Sequence, residues 1–144
     1  MNTKERILAI DFGLKRIGFA VTDELQITIT PLPILELQKP DFWSRFTSLL
    51  EEYDPKQIIL GYPQHDLETQ NRVQRQIMEF KNRIEKNFTI TVTLQDESYT
   101  SERASEHLNE INPKRSKKKR KQKKENLDSV AAAFILQSFL KKDS

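Results

Sequence analysis

The chain has 144 residues, of which 36% are hydrophobic and 31% charged; its formal net charge is +3 and it has no cysteine. This length predicts a single domain over residues 1–144 with a core of its own. The composition argues against global disorder, excludes disulfides and thiolate metal sites, and offers no run near the roughly 18 apolar residues of a membrane span.

Met1 to Arg6 leads straight toward a strand without the apolar stretch of a signal peptide, so a cytoplasmic protein is expected. Ile7 to Phe12 is nearly all apolar without alternation, which predicts a strand buried on both faces. Ile17 to Thr22 predicts a second strand, and the short intervening turn makes the pair an antiparallel hairpin. Ile27 to Thr30 alternates and continues toward Leu35 as a third strand, which Pro31 and Pro33 confine to an edge.

Asp41 to Tyr53 has helical spacing in Phe42, Trp43, Phe46, Leu49 and Leu50, with Asp41 placed to cap it and Pro55 to stop it. Gln57 to Leu60 is a short buried strand running into Gly61-Tyr62-Pro63. Glu68 to Lys86 predicts a long polar helix with Val73, Ile77, Phe80 and Ile84 along one face. Ile90, Val92 and Leu94 alternate with threonines in a fifth strand that ends at Asp96-Glu97. Thr100 to Ile111 predicts a helix, residues 112–125 a basic loop, and Leu127 to Leu140 a final amphipathic helix. Three antiparallel strands followed by βα units make an α/β protein: a five-stranded mixed sheet with helices on both faces.

The only glycines are Gly13, Gly18 and Gly61. So sparing a use predicts that each serves a required geometry, a positive φ or a close approach. Gly13 and Gly18 bracket the turn after Asp11, and Gly61 ends the fourth strand.

Acids stand at element ends: Asp11 after strand one, Asp96 and Glu97 after strand five, and Asp128 at the start of the last helix. If strand one lies beside strand four with strand five beyond, their carboxyl ends share the edge where open sheets bind ligands. Converging carboxylates repel one another unless a cation offsets them, and hard oxygen ligands suit Mg²⁺ or Mn²⁺. Each acid also has a plainer role open to it. Asp11 can make an Asx turn, Asp96-Glu97 can begin a polar loop, and Asp128 can be an N-cap. His65 and His107 lack metal-ligand spacing, and Asp23, Glu24 and Asp66 read as solvated turns.

Charge is unevenly spread. Lys114, Arg115, Lys117, Lys118, Lys119, Arg120, Lys121, Lys123 and Lys124 stand together without an acid; outside them 15 basic residues meet 21 acidic ones. Such a block suits a polyanion, and a solvated loop is its other reading. Thr100 or Ser101 can cap a helix or donate to a phosphate.

Four segments in order resemble the YqgF family of RNase H-like nucleases, also described as Holliday junction resolvase-like. They are Ile10-Asp11-Phe12-Gly13-Leu14-Lys15-Arg16-Ile17-Gly18, Ile59-Leu60-Gly61-Tyr62-Pro63, Asp96-Glu97-Ser98-Tyr99-Thr100-Ser101, and Asp128-Ser129-Val130-Ala131-Ala132-Ala133 with Ile135-Leu136-Gln137. The resemblance implies an RNase H-like fold and maturation of the 5′ end of the 16S rRNA precursor. It implies that Asp11, Glu97 and Asp128, with Asp96 as a further ligand, hold the metal. It places Lys15 and Arg16 near the scissile phosphate and the basic run on the nucleic-acid backbone. Pre-rRNA or a pre-ribosomal particle is the implied partner. RuvC-type resolvases carry an acid on the fourth strand, where this chain has Gly61-Tyr62, and Ser98 stands where the family pattern has arginine.

A metal-dependent endonuclease on structured RNA is the leading expectation. Its rivals are a resolvase acting on four-way DNA and a non-catalytic RNA-binding assembly factor. A sugar-kinase-like ATPase shares the strand-Asp-Gly turn but needs two copies of the fold, more than this length holds.

Overall fold

The computed structural model describes residues 5–62, 68–96 and 130–141. Its elements are β1 (Ile7–Asp11), β2 (Arg16–Thr22), β3 (Ile29–Glu36), α1 (Phe42–Tyr53), β4 (Gln57–Tyr62), α2 (Glu68–Asn87), β5 (Thr91–Asp96) and a last helix, α3, over residues 130–141. The expected helix from Thr100 and the basic loop lie outside the described residues.

One mixed sheet has the order β3-β2-β1-β4-β5. β1 pairs antiparallel with β2 and parallel with β4, and β4 pairs parallel with β5. The carboxyl ends of β1, β4 and β5 therefore share one edge. β3 is an edge strand, as its prolines required, and its first residue is Ile29; Ile27 stays 73% exposed in the preceding turn.

The two faces carry separate apolar clusters. Leu8, Ile10, Phe19, Ile58, Leu60 and Val92 pack with Phe42 and Phe46 of α1 and Ile77, Phe80 and Ile84 of α2. Ile7, Ala9, Ala20 and Ile59 pack with Ala132, Ile135 and Leu136 of α3. Period-two alternation explains the division, since successive residues of one strand point to opposite faces. Ala9, Ala20 and Ala132 carry only methyl groups, which brings α3 close to the sheet.

Local chemistry differs from expectation at two places. Asp41 makes no side-chain cap to α1; its Oδ2 accepts a hydrogen bond from Arg45 Nε at 2.6 Å instead. That bond and the Arg45 charge hold the Asp41 carboxyl below the usual carboxylate range. Asp23 is not simply solvated: its Oδ1 accepts the backbone N–H groups of Ile27 at 2.7 Å and Thr28 at 2.9 Å, closing the β2–β3 hairpin.

Those bonds, the one from Thr28 foremost, lower the Asp23 pKa. A lowered folded-state pKa contributes stability above the ordinary carboxylate value, and the contribution is lost as the pH falls through the folded value. Asp23→Ala is therefore expected to lower the melting temperature slightly at neutral pH. The deficit should shrink as the pH drops through the acid range; thermal melts of both proteins at several pH values check it, and a pH-independent deficit would contradict this account.

Candidate active site

Asp11 is the last residue of β1 and is half-buried. Alternation from Ile7 and Ala9 sets its side chain on the α3 face. The next residue, Phe12, returns to the other face and packs on Phe80 of α2 with ring centroids 5.3 Å apart. This contact anchors the strand end and fixes the direction in which the carboxylate leaves the sheet.

Two of the three glycines flank Asp11. Gly18 of β2 is its partner in the antiparallel ladder, and Gly61 of β4 follows directly on the Ile10↔Leu60 pair of the parallel ladder. Cross-strand neighbours on one face normally cover each other with their side chains. Here neither directly opposed neighbour has one. The glycines do not serve an unusual backbone: no described glycine has positive φ. Gly13 serves a close approach, since a Cβ there would overlap the Arg16 carbonyl oxygen.

The basic turn follows at once. Lys15 is exposed and Arg16 half-buried, and the Lys15 carbonyl accepts a hydrogen bond from Leu37 N–H at 2.8 Å, tying the turn to the end of β3. Lys15 and Arg16 thus stand at the same sheet edge as Asp11, within a few residues of it.

Asp96 ends β5, opposite Tyr62. It reaches the same edge as Asp11, two strands away. Alternation from Val92 and Leu94, which pack on the α1–α2 cluster, sets Asp96 on that side, whereas Asp11 is on the α3 side. Among the described residues no group of three or more acidic, histidine or cysteine side chains gathers that could hold a metal. Glu97, Thr100, Ser101, Asp128 and the nine basic residues from Lys114 to Lys124 lie outside the described residues.

One residue at this edge was missed by the sequence reading. Gln95 pairs with Gly61 and, alternating with Leu94, takes the Asp11 face. It is 6% exposed, and its Nε2 is buried without a hydrogen-bond partner among the described residues. Such a donor costs about 1–3 kcal/mol when left unsatisfied. The Thr-Val-Thr-Leu-Gln alternation of β5 was the available signal, because it makes Gln95 the last polar residue on the face of Thr91 and Thr93.

Known proteins resemble the chain in sequence and in fold. A family described as "RuvX: Holliday junction resolvase" matches residues 5–142. A protein of Caldicellulosiruptor saccharolyticus named "Putative pre-16S rRNA nuclease" is 31% identical over 138 residues, covering 94% of this chain and 96% of its own length. One of the same name from Salmonella typhi is 36% identical over 137 residues, covering 94% and 95%. Among solved structures, T. thermophilus RuvC in complex with a Holliday junction substrate superposes with a TM-score of 0.56 at 12% identity, covering 96% of both chains. Fowlpox virus resolvase, solved with Holliday junction DNA, gives 0.54 at 19% identity, covering 95% and 97%. These likenesses identify the RNase H-like fold.

Proposed function

The chain belongs to the RuvX family, which includes the YqgF proteins, and on that premise we propose that it is an endonuclease that processes the 5′ end of the 16S rRNA precursor in the cytoplasm. The observation that carries the reading is Asp11: a half-buried carboxylate at the carboxyl edge of an RNase H-like sheet, with Gly18 and Gly61 opposite it on the two neighbouring strands. The names of the curated relatives favour RNA over branched DNA as the substrate.

A hard divalent cation fits this donor. Asp11 brings a carboxylate to the α3 face between two glycines, and hard oxygen ligands suit Mg²⁺ or Mn²⁺. Asp11, Glu97 and Asp128 would hold it. Asp96 stands on the other face from Asp11, so Glu97 is the member of the pair assigned to the cation. When bound, the cation lowers the pKa of water and offsets charge developing on the phosphate. The chain's own residues do the rest. Asp11 fixes the position of the reacting group at the strand end, Lys15 and Arg16 attract the phosphate, and the segment Lys114 to Lys124 holds the flanking backbone.

The test is cleavage of labelled 16S precursor RNA, beside a four-way DNA junction, with Mg²⁺ or Mn²⁺. Defined cuts in the RNA are expected. Cutting of the junction alone would favour a resolvase, and RNA binding without cleavage would favour an assembly factor. Binding should weaken on the order of 10³-fold between 50 and 200 mM salt, because basic residues displace condensed counterions. Changing Lys117, Lys118, Lys119, Lys121 and Lys123 to alanine should flatten that slope in a filter-binding titration; an unchanged slope would remove the segment from the interface.

A further inference from the structure

α2 has 20 residues, whereas β4 and β5, along which it lies, have six each. At the helical and extended rises these lengths are about 30 and 20 Å, so the helix outreaches the sheet. The chain enters α2 from the carboxyl end of β4 and leaves it for the amino end of β5. Phe80 pins the helix at the carboxyl edge: its ring centroid lies 5.3 Å from that of Phe12, the residue that follows β1. The turns before Phe80 therefore rise past that edge. Arg72 and Arg75 are on them, eight and five residues before Phe80, or roughly 12 and 8 Å along the helix axis.

Two contacts fix the direction in which this end faces. Val73, Ile77, Phe80 and Ile84 turn one side of α2 to the core. Arg83 lies over the Trp43 ring of α1, 4.0 Å from its centroid, so the adjoining side looks toward α1. Arg72 is eleven residues before Arg83, three helical turns to within about 20°, and shares that side. α1 lies along β3 and α2 along β4 and β5, so the α1 side of α2 looks across β1 and β2. At the carboxyl edge those two strands are joined by the turn that carries Lys15.

Arg72, Arg75 and Lys15 are all exposed, and neither arginine has an ion pair among the described residues. The acids on the α1 side of the same edge are offset where they stand, Glu36 by Lys39 at 3.7 Å and Asp41 by Arg45 at 2.6 Å. From Glu68 to Gln76 the helix carries two arginines against one glutamate. A guanidinium offers a planar fork of donors that matches a phosphate, and exposed basic side chains at a site's rim are where a nucleic-acid backbone is held. We propose that Arg72 and Arg75 form a phosphate-binding wall, holding the nucleic-acid backbone on the α1–α2 side of the carboxyl edge while Asp11 serves the other side. This rests on the nuclease reading given above and adds to it a surface remote in sequence from both Lys15-Arg16 and the run Lys114 to Lys124.

Filter binding of labelled 16S precursor RNA over a salt series tests the wall without requiring cleavage. Arg72→Ala combined with Arg75→Ala should lower the log–log salt slope by about 1–2 and weaken binding about 10-fold at low salt. Both side chains are exposed, so the melting temperature should stay at the wild-type value. Lys56→Ala combined with Lys86→Ala removes the same charge at the amino edge, before β4 and in the last turn of α2, and should leave the slope as it is. Lysine at positions 72 and 75 keeps the charge and should restore most of the slope. A wild-type slope in the alanine pair, an equal fall in the Lys56 and Lys86 pair, or no recovery with lysine would overturn the proposal. Cleavage of the same RNA separates the two readings. If wild type cuts and the alanine pair leaves the slope unmoved, the wall fails and the nuclease stands. If wild type cuts neither RNA nor the DNA junction but the slope falls as expected, the nuclease reading fails and the wall stands.

Discussion

Asp11→Asn is expected to cut precursor RNA at least about 10³-fold more slowly than wild type, the scale on which removing a group central to the chemistry acts. The substitution keeps the volume and planarity of the side chain, so the Asp11↔Gly18 pairing and the Phe12–Phe80 contact remain. What it removes is the negative charge at the one position where both cross-strand neighbours are glycines. RNA binding should persist, because most affinity comes from the basic residues rather than from Asp11.

Asp96→Asn supplies the contrast. Asp96 sits at the same edge, but on the α1–α2 side, so its loss should leave the cleavage rate within several-fold of wild type. Single-turnover cleavage by the two variants decides the matter. Equal losses would mean that both acids serve one cation, and a mild effect for Asp11→Asn would remove the carboxylate from the chemistry.

Phe46→Ala should cost about 3–5 kcal/mol of stability. Phe46 is fully buried in α1, and its ring lies 5.7–6.1 Å from the rings of Phe19, Phe42, Trp43, Phe80 and Phe88. It joins the sheet, α1 and α2 at one point. Burying a phenyl ring removes about 150–250 Å² from water, worth about 4–6 kcal/mol by area as an upper bound. The five surrounding rings are rigid and cannot collapse into the space left behind, so the cavity penalty is not relieved. The melting temperature should fall on the order of 10–15 °C. Urea denaturation should give a lower midpoint with an unchanged slope, and a loss below about 1 kcal/mol would show that the cluster repacks.

These two expectations separate what the sequence carried from what it did not. Among the described residues, element type and order were legible because each rests on local periodicity. The spacing of Val73, Ile77, Phe80 and Ile84 could only be one face of a helix, and three of these four residues are buried in one cluster. Pro31 and Pro33 placed β3 at an edge because proline cannot donate to a second neighbouring strand. The place of Asp11 at the end of β1 was legible because the unbroken apolar run before it stops there.

Pairing across the sheet was not legible, since it depends on which strands become neighbours and in what register. Glycine by itself suggests a turn or a positive φ, and nothing in the local sequence sets Gly18 and Gly61 on either side of Asp11. Only the β2-β1-β4 order does that. The same order and the period of two divide Asp96 from Asp11, although both stand at the carboxyl edge. They also bring Gln95, a polar residue without a motif, level with Asp11 over a glycine. The sequence by itself determined the elements, the strand-end carboxylate and the concentrated basic charge, because composition and spacing are properties of the chain. The tertiary structure alone decided which groups share a face, because that is a property of neighbours distant in sequence.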